Sequence, residues 1–177
     1  MATLGIITDT HIPHRIDRLP PRVFDVFRGV DRILHAGDIN SSRVLDQLAQ
    51  IAPVDAVAGN ADLLFRHDLP LTRVIEVEDR RIGLVHGHGG WSRYLRSKVR
   101  DRFGYNEEHY LRIVCRSFER VDAIVFGHTH RFYHAGRAGI VLFNPGPIAP
   151  DFYNTSGPQV GLLHVTAQAL QFEIVAV

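Results

Sequence analysis

The chain reads as an α/β protein, a four-layer αββα sandwich in which two mixed β-sheets packed face to face are flanked by helices. Three observations predict this. The first third alternates short apolar runs with helical patterns in the order β-α-β-α-β, which favours parallel strands covered by helices. The remainder carries three hairpin signatures and so adds antiparallel strands. Finally, 177 residues at 45% hydrophobic content supply one real core but not two, so a single domain over residues 1–177 is expected.

The elements follow in order. Leu4 to Thr8 opens the chain as a buried strand, and Pro21 suits the first turn of a helix running to about Arg28. Arg32 to His35 is the second strand. Ser41 or Asn40 caps a helix with Val44, Leu45, Leu48 and, at its end, Ile51 on one face, stopped before Pro53. Val54 to Val57 is the third strand. Arg73–Val77 and Arg81–Val85 pair around Glu78-Asp79-Arg80 as a hairpin. A helix is expected from about Ser92, and a second from Asn106 to Arg120 with Tyr110, Leu111, Val114, Cys115 and Phe118 on its core face. Ala123 to Phe126 is another buried strand. Arg131–Ala135 with Ile140–Phe143, and Gly161–Val165 with Leu170–Val175, complete the hairpins, and Asn144-Pro145-Gly146-Pro147 between them is a fixed turn.

Composition narrows the partners. A net charge of +1 gives no long-range field of one sign, so a nucleic-acid-coating surface is not indicated. The single cysteine, Cys115, excludes an intramolecular disulfide and points to a reducing compartment; its place in a helical pattern makes it a packing residue. The N-terminus shows no basic region followed by an apolar one, and no stretch reaches the roughly 18 apolar residues of a membrane span. A cytoplasmic protein without membrane insertion is expected, and a homo-oligomer is left open. The run Arg93, Arg96, Lys98, Arg100, Arg102 reads first as a solvated face, and second as a phosphate-contacting rim.

Chemistry gathers at the strand ends. Ala123–Phe126 leads into Gly127-His128-Thr129-His130, and an extended backbone sends residues i and i+2 to one side. One such pair is a weak signal. The construction recurs, however: the first strand leads into Asp9-Thr10-His11, the second into Gly37-Asp38, the third into Gly59-Asn60-Ala61-Asp62, and Ile82–Val85 into His86-Gly87-His88. Ligands of open α/β sheets bind outside the carboxyl ends of the strands, so five segments rich in Asp, His and Asn should converge. Oxygen and imidazole donors without thiolate suit a catalytic divalent metal and not a structural zinc site.

These motifs, in this order, resemble the calcineurin-like metallophosphoesterases, in the small single-domain branch that includes bacterial phosphodiesterases and the retromer subunit Vps29. The likeness covers nearly the whole chain, since Asn144-Pro145-Gly146 and the closing strands also look like the family's. What the resemblance implies is a dinuclear, metal-dependent phosphodiesterase. One metal would take Asp9, His11 and His130, the other Asn60, His86 and His128, with Asp38 bridging. The ions would be Mn²⁺ first, with Fe²⁺, Ni²⁺ or Zn²⁺ also suited, and the reaction an in-line attack by a bridging hydroxide on a small-molecule or nucleotide phosphodiester. Two divalent ions, two carboxylates and one hydroxide leave the centre at about +1, which attracts such an anion. Asp38, Asn60 and His88 are the expected catalytic residues. The alternative is a non-catalytic scaffold of the Vps29 kind on the same fold. The chain departs from the wider superfamily at Ala61, where a leaving-group histidine is usual.

The other histidines read more plainly. His35 either supports the bridging carboxylate or is a satisfied core residue, and His88 either meets the leaving group or supports its neighbours; both pairs stay open. His14, His67, His109, His134 and His164 are surface or packing residues.

Overall fold

The computed structural model describes residues 1–62, 68–90, 94–95, 104–151 and 157–177. The expected helix from Ser92, the basic run from Arg93 to Arg102, and His67 lie outside the described residues.

Two five-stranded mixed sheets make up the core. In the first, β1 (Ala2–Ile7), β2 (Arg32–His35) and β3 (Val54–Ala56) run parallel, and the hairpin β9 (Gln159–Val165) and β10 (Leu170–Ala176) adds antiparallel to β1. In the second, β5 (Arg80–Val85), β6 (Ala123–Val125) and β8 (Ile140–Asn144) are parallel. The antiparallel edges β4 (Thr72–Val77) and β7 (Tyr133–Arg137) flank them.

Strand alternation builds the layers. Leu4, Ile6 and Leu34 of the first sheet meet Ile82, Leu84, Val125 and Phe143 of the second in an apolar interior. Ile7 and Ile33 point the other way, beneath α1 (Pro21–Val26) and α2 (Ser42–Ala49), where Val23, Phe27, Val44 and Leu48 are buried. On the outer face of the second sheet, Val85, Ile124 and Phe126 take Leu111 and Val114 of α3 (Glu107–Cys115). These are the four layers that the pattern predicts. Gly5 is where the Phe27 ring enters, since a Cβ there would lie 2.8 Å from Cδ1 of that ring.

Most boundaries fall within two residues of expectation, but α3 stops at Cys115 instead of Arg120. The chain must turn to enter β6, and Phe118 tucks over Gly83, where a Cβ would stand 2.8 Å from its ring. Ser41 occupies the N-cap of α2 without a side-chain bond, and Asn40 spends its amide on the site described next. Among the described residues no helix is long and apolar enough to cross a membrane.

Candidate metal centre

The parallel strands of both sheets end on one side of the molecule. Asp9 and His11 follow β1, Asp38 follows β2, Asn60 follows β3, His86 follows β5, and His128 and His130 follow β6. The backbone there is unusual: among the described residues eight non-glycine residues have positive φ, and five of these are Asp9, His11, Asp38, His128 and His130, with φ between 48° and 69°. Such conformations cost on the order of 1 kcal/mol each, less for Asp, Asn and His, and persist where surrounding bonds enforce them. Here the enforcing bonds run from Asp9 N–H to Gly37 O and from His11 N–H to Asp38 O, both 3.0 Å. The glycines give close approach, because a Cβ on Gly59 would fall on the Asp38 carboxylate and one on Gly127 on Thr8 Oγ1.

Seven side chains converge. Asp9, His11, Asp38 and His130 bring donor atoms within 4.8 Å of one another. His130 Nε2 is 3.2 Å from Asp9 Oδ1 and 3.3 Å from His11 Nε2, and His11 Nε2 is 3.5 Å from Asp38 Oδ2. The other carboxylate oxygen of Asp38 faces a second group: Oδ1 is 3.4 Å from His86 Nε2, which is 3.2 Å from Asn60 Oδ1. The His128 ring stands 5.1 Å from that of His86. Asp9 Oδ1 lies between the two groups, 3.9 Å from His11 Nε2 and 4.0 Å from His86 Nε2.

Three histidines are oriented from behind. His86 Nδ1 donates to Ala36 O over 2.7 Å, His11 Nδ1 to Asn40 Oδ1 over 3.2 Å, and His130 Nδ1 to Asp151 Oδ2 over 2.6 Å. Each acceptor fixes the tautomer whose Nε2 lone pair faces the centre, the arrangement usual for metal-binding imidazoles. Asp62, the last residue of its motif, points elsewhere. Fully buried, it accepts from the amides of Ile39, Asn40 and Gly59, and so clamps the loops after β2 and β3 together.

The electrostatics fit a cation. Burial alone would favour neutral Asp9 and Asp38, but the surrounding histidines hold Asp9 well below the usual carboxylate range and His86 holds Asp38 at about 2. Burial opposes a charge on His86, yet the Asp38 and Asp9 carboxylates outweigh it and lift its pKa to about 9. His130 is raised in the same way by Asp9 and Asp151 against the effect of burial. Burial and the charge on His86 push His128 down to about 3 and His88 to about 4. The carboxylates therefore favour a proton on His86 in the metal-free protein, and a divalent cation can take its place. Asp9 Oδ1, buried and without a hydrogen bond among the described residues, is the atom most in need of one.

A cavity of about 460 Å³ opens on this cluster, walled by His11, Asp38, Asn60, Ala61, His128 and His130, and by Arg15, Tyr94, Tyr105, Tyr110 and Asp151 farther out. Of the residues expected to be catalytic, Asp38 and Asn60 line it. His88 is 3% exposed, off the wall, with neither ring nitrogen hydrogen-bonded among the described residues and its ring 5.5 Å from that of His86. His35 proves to be a satisfied core residue, accepting from Gly37 N–H and meeting Thr10 Oγ1. Sequence reasoning missed Asn40, Arg15, Asp151 and the tyrosines. Asn40 sits two residues past Asp38, a spacing that could have flagged it; no local signal marks Asp151.

A family model described as the calcineurin-like phosphoesterase superfamily domain matches residues 2–168. The chain belongs to that superfamily. A probable metallophosphoesterase of Methanothermobacter thermautotrophicus is 36% identical, covering 97% of this chain and 91% of that protein. Another probable metallophosphoesterase, from Methanocaldococcus jannaschii, is 37% identical, covering 83% of this chain and 69% of its own length. Among solved structures, wild-type Vps29 of Entamoeba histolytica complexed with Zn²⁺ aligns with a TM-score of 0.72 at 24% identity, covering 98% of both chains. A predicted phosphoesterase of Streptococcus pneumoniae aligns at 0.68 and 20% identity, over 99% of this chain and 89% of its own. These likenesses carry the superfamily's two-sheet fold, as expected from the motifs.

Proposed function

We propose that this chain is a dinuclear, metal-dependent phosphodiesterase acting as one domain over residues 1–177. The observation that carries the reading is the division of Asp38, whose two oxygens face two separate sets of donors, Oδ2 toward His11 and Oδ1 toward His86. Asp9, His11 and His130 would hold one ion, Asn60, His86 and His128 the other, with Asp38 shared. Bound there, two divalent cations, Mn²⁺ first and Fe²⁺, Ni²⁺ or Zn²⁺ on the same donor chemistry, supply an activated water and draw charge from the phosphoryl group. Asp38 keeps both donor sets in register through Ala61 N–H, which donates to Oδ1 over 2.8 Å. Asn60 presents its amide to both the cluster and the cavity. His88, placed off the wall, acts behind His86 and His128; direct protonation of the leaving group is the stronger version of its role. The substrates are small-molecule or nucleotide phosphodiesters in the cytoplasm.

The scaffold reading has the Vps29 likeness on its side, including a Chaetomium thermophilum Vps29 complexed with a cyclic peptide. The complete donor set favours catalysis instead. The deciding experiment is metal content together with turnover of a bis-aryl phosphate by the purified protein, with Asp38→Asn as control. Two bound metals and turnover abolished in Asp38→Asn support the enzyme; absence of turnover with every suited metal leaves the scaffold.

A further inference from the structure

The chain beyond β8 returns to the first motif. Ile148 N–H donates to Thr8 O at 3.2 Å and Ala149 N–H to Asp9 O at 3.1 Å, which brings Asp151 against His130. One oxygen of Asp151, Oδ2, is 2.6 Å from His130 Nδ1 and also 2.6 Å from Arg15 Nη1, and these two nitrogens are 3.4 Å apart. The Asp151 and His130 side chains are 9% and 10% exposed, whereas that of Arg15 is 42% exposed and lines the cavity. A single carboxylate oxygen thus ties a buried imidazole to a cation at the cavity wall.

We propose that Asp151 is a positioning residue with two tasks: it aims His130 Nε2 at the Asp9, His11 and Asp38 donors, and it anchors Arg15 as the residue that receives the anionic oxygens of the substrate. The second task rests on the phosphodiesterase reading; the first does not. The argument for the first is geometric. A carboxylate can only accept, so the proton of His130 stays on Nδ1 and the ring cannot turn without breaking a 2.6 Å bond. For the second, a guanidinium carries five N–H donors in a planar fork, so an Arg held through one nitrogen still offers donors to a phosphoryl oxygen. Held in place beforehand, it loses little freedom when the anion arrives. The charge of Asp151 is offset by Arg15, so the pair supports His130 without adding net negative charge beside an anionic substrate.

The experiment uses the full chain and two probes, Mn²⁺ by calorimetric titration and inorganic phosphate binding to the Mn²⁺-loaded protein. Asp151→Ala should weaken Mn²⁺ binding by about 10–100-fold and Asp151→Asn, which keeps an oxygen for His130 Nδ1, should restore most of it. Arg15→Gln should leave Mn²⁺ affinity within about threefold while weakening phosphate roughly tenfold, the worth of a charged hydrogen bond. Asp151→Asn should also weaken phosphate binding, by less than Arg15→Gln, because the neutral amide oxygen holds the guanidinium without the carboxylate's charge. Wild-type Mn²⁺ affinity in Asp151→Ala overturns the first task, and wild-type phosphate affinity in Arg15→Gln overturns the second. If Asp151→Ala does not fold, Asp151→Asn decides: phosphate binding weakened with Mn²⁺ binding kept supports the proposal, and both unchanged overturns it. Should all of these hold while no diester is hydrolysed, it is the phosphodiesterase reading that fails.

Discussion

The amide of Ala61 donates to Asp38 Oδ1 over 2.8 Å, so this residue is fastened by its backbone to the central carboxylate and shows the cavity only a methyl group. Positioned acid catalysis is worth about 10²–10⁴-fold, most for basic leaving groups. Bis-aryl phosphates should therefore be hydrolysed efficiently and simple alkyl esters slowly. A series of diesters of graded leaving-group pKa should give a steep rate dependence in the wild type and a shallower one in Ala61→His. A flat wild-type series would mean that an acid is already present, and its loss in His88→Ala would name it.

Asp38→Ala removes the carboxylate that faces both donor sets. Activity should fall by about 10³-fold or more, with both metals displaced or weakened and the fold retained. Elemental analysis after gel filtration and far-UV circular dichroism check this; two tightly held metals in a fully active variant would end the assignment.

The elevated pKa of His86, about 9, fixes the sign of the pH dependence. On the proposed ligand set metal would displace that proton, so Mn²⁺ affinity should rise from pH 6 toward 9, and binding at pH 7 should release protons, measurable by calorimetry in buffers of different ionisation enthalpy. In the metal-free protein the trend reverses. A histidine whose pKa is higher folded than unfolded stabilises fully below its unfolded value near 6.5, and that contribution is lost as pH rises through about 9. Thermal unfolding with and without metal should show opposite slopes between pH 7 and 9.

Two glycine variants separate site from scaffold. Gly59→Ala drives a methyl into both the carboxylate and the backbone nitrogen of Asp38, so it should abolish metal binding and also destabilise the fold. Gly5→Ala sets one 2.8 Å from the Phe27 ring, far from the centre, and should cost about 1–3 kcal/mol with metal affinity unchanged. Denaturant titration beside metal titration distinguishes them.

Legibility in the sequence followed the range of the forces involved. Strand periods were readable because burial imposes them residue by residue: Leu4 and Ile6 face one layer, Ile7 the other. The motif residues were readable because a strand end and a glycine constrain each of them locally. The shortened α3 was not, since it depends on Phe118 finding Gly83 across the fold. Asp151 was hidden for the same reason. Its position is set by amides of Ile148 and Ala149 reaching carbonyls 140 residues earlier in the chain, and nothing beside it in sequence reports that.

On the proposed ligand set, the donors divide between the sheets: Asp9, His11, Asp38 and Asn60 come from one, His86, His128 and His130 from the other. In the interior these layers meet through apolar side chains, whereas a cation gripped from both sides would work as a rivet. It closes the chain on itself as a cross-link would, and it cannot be retained by either sheet alone. The last of these donors follow β6, so a newly made chain completes the set only once strands of both layers are present, and bound metal should then help to hold those layers together.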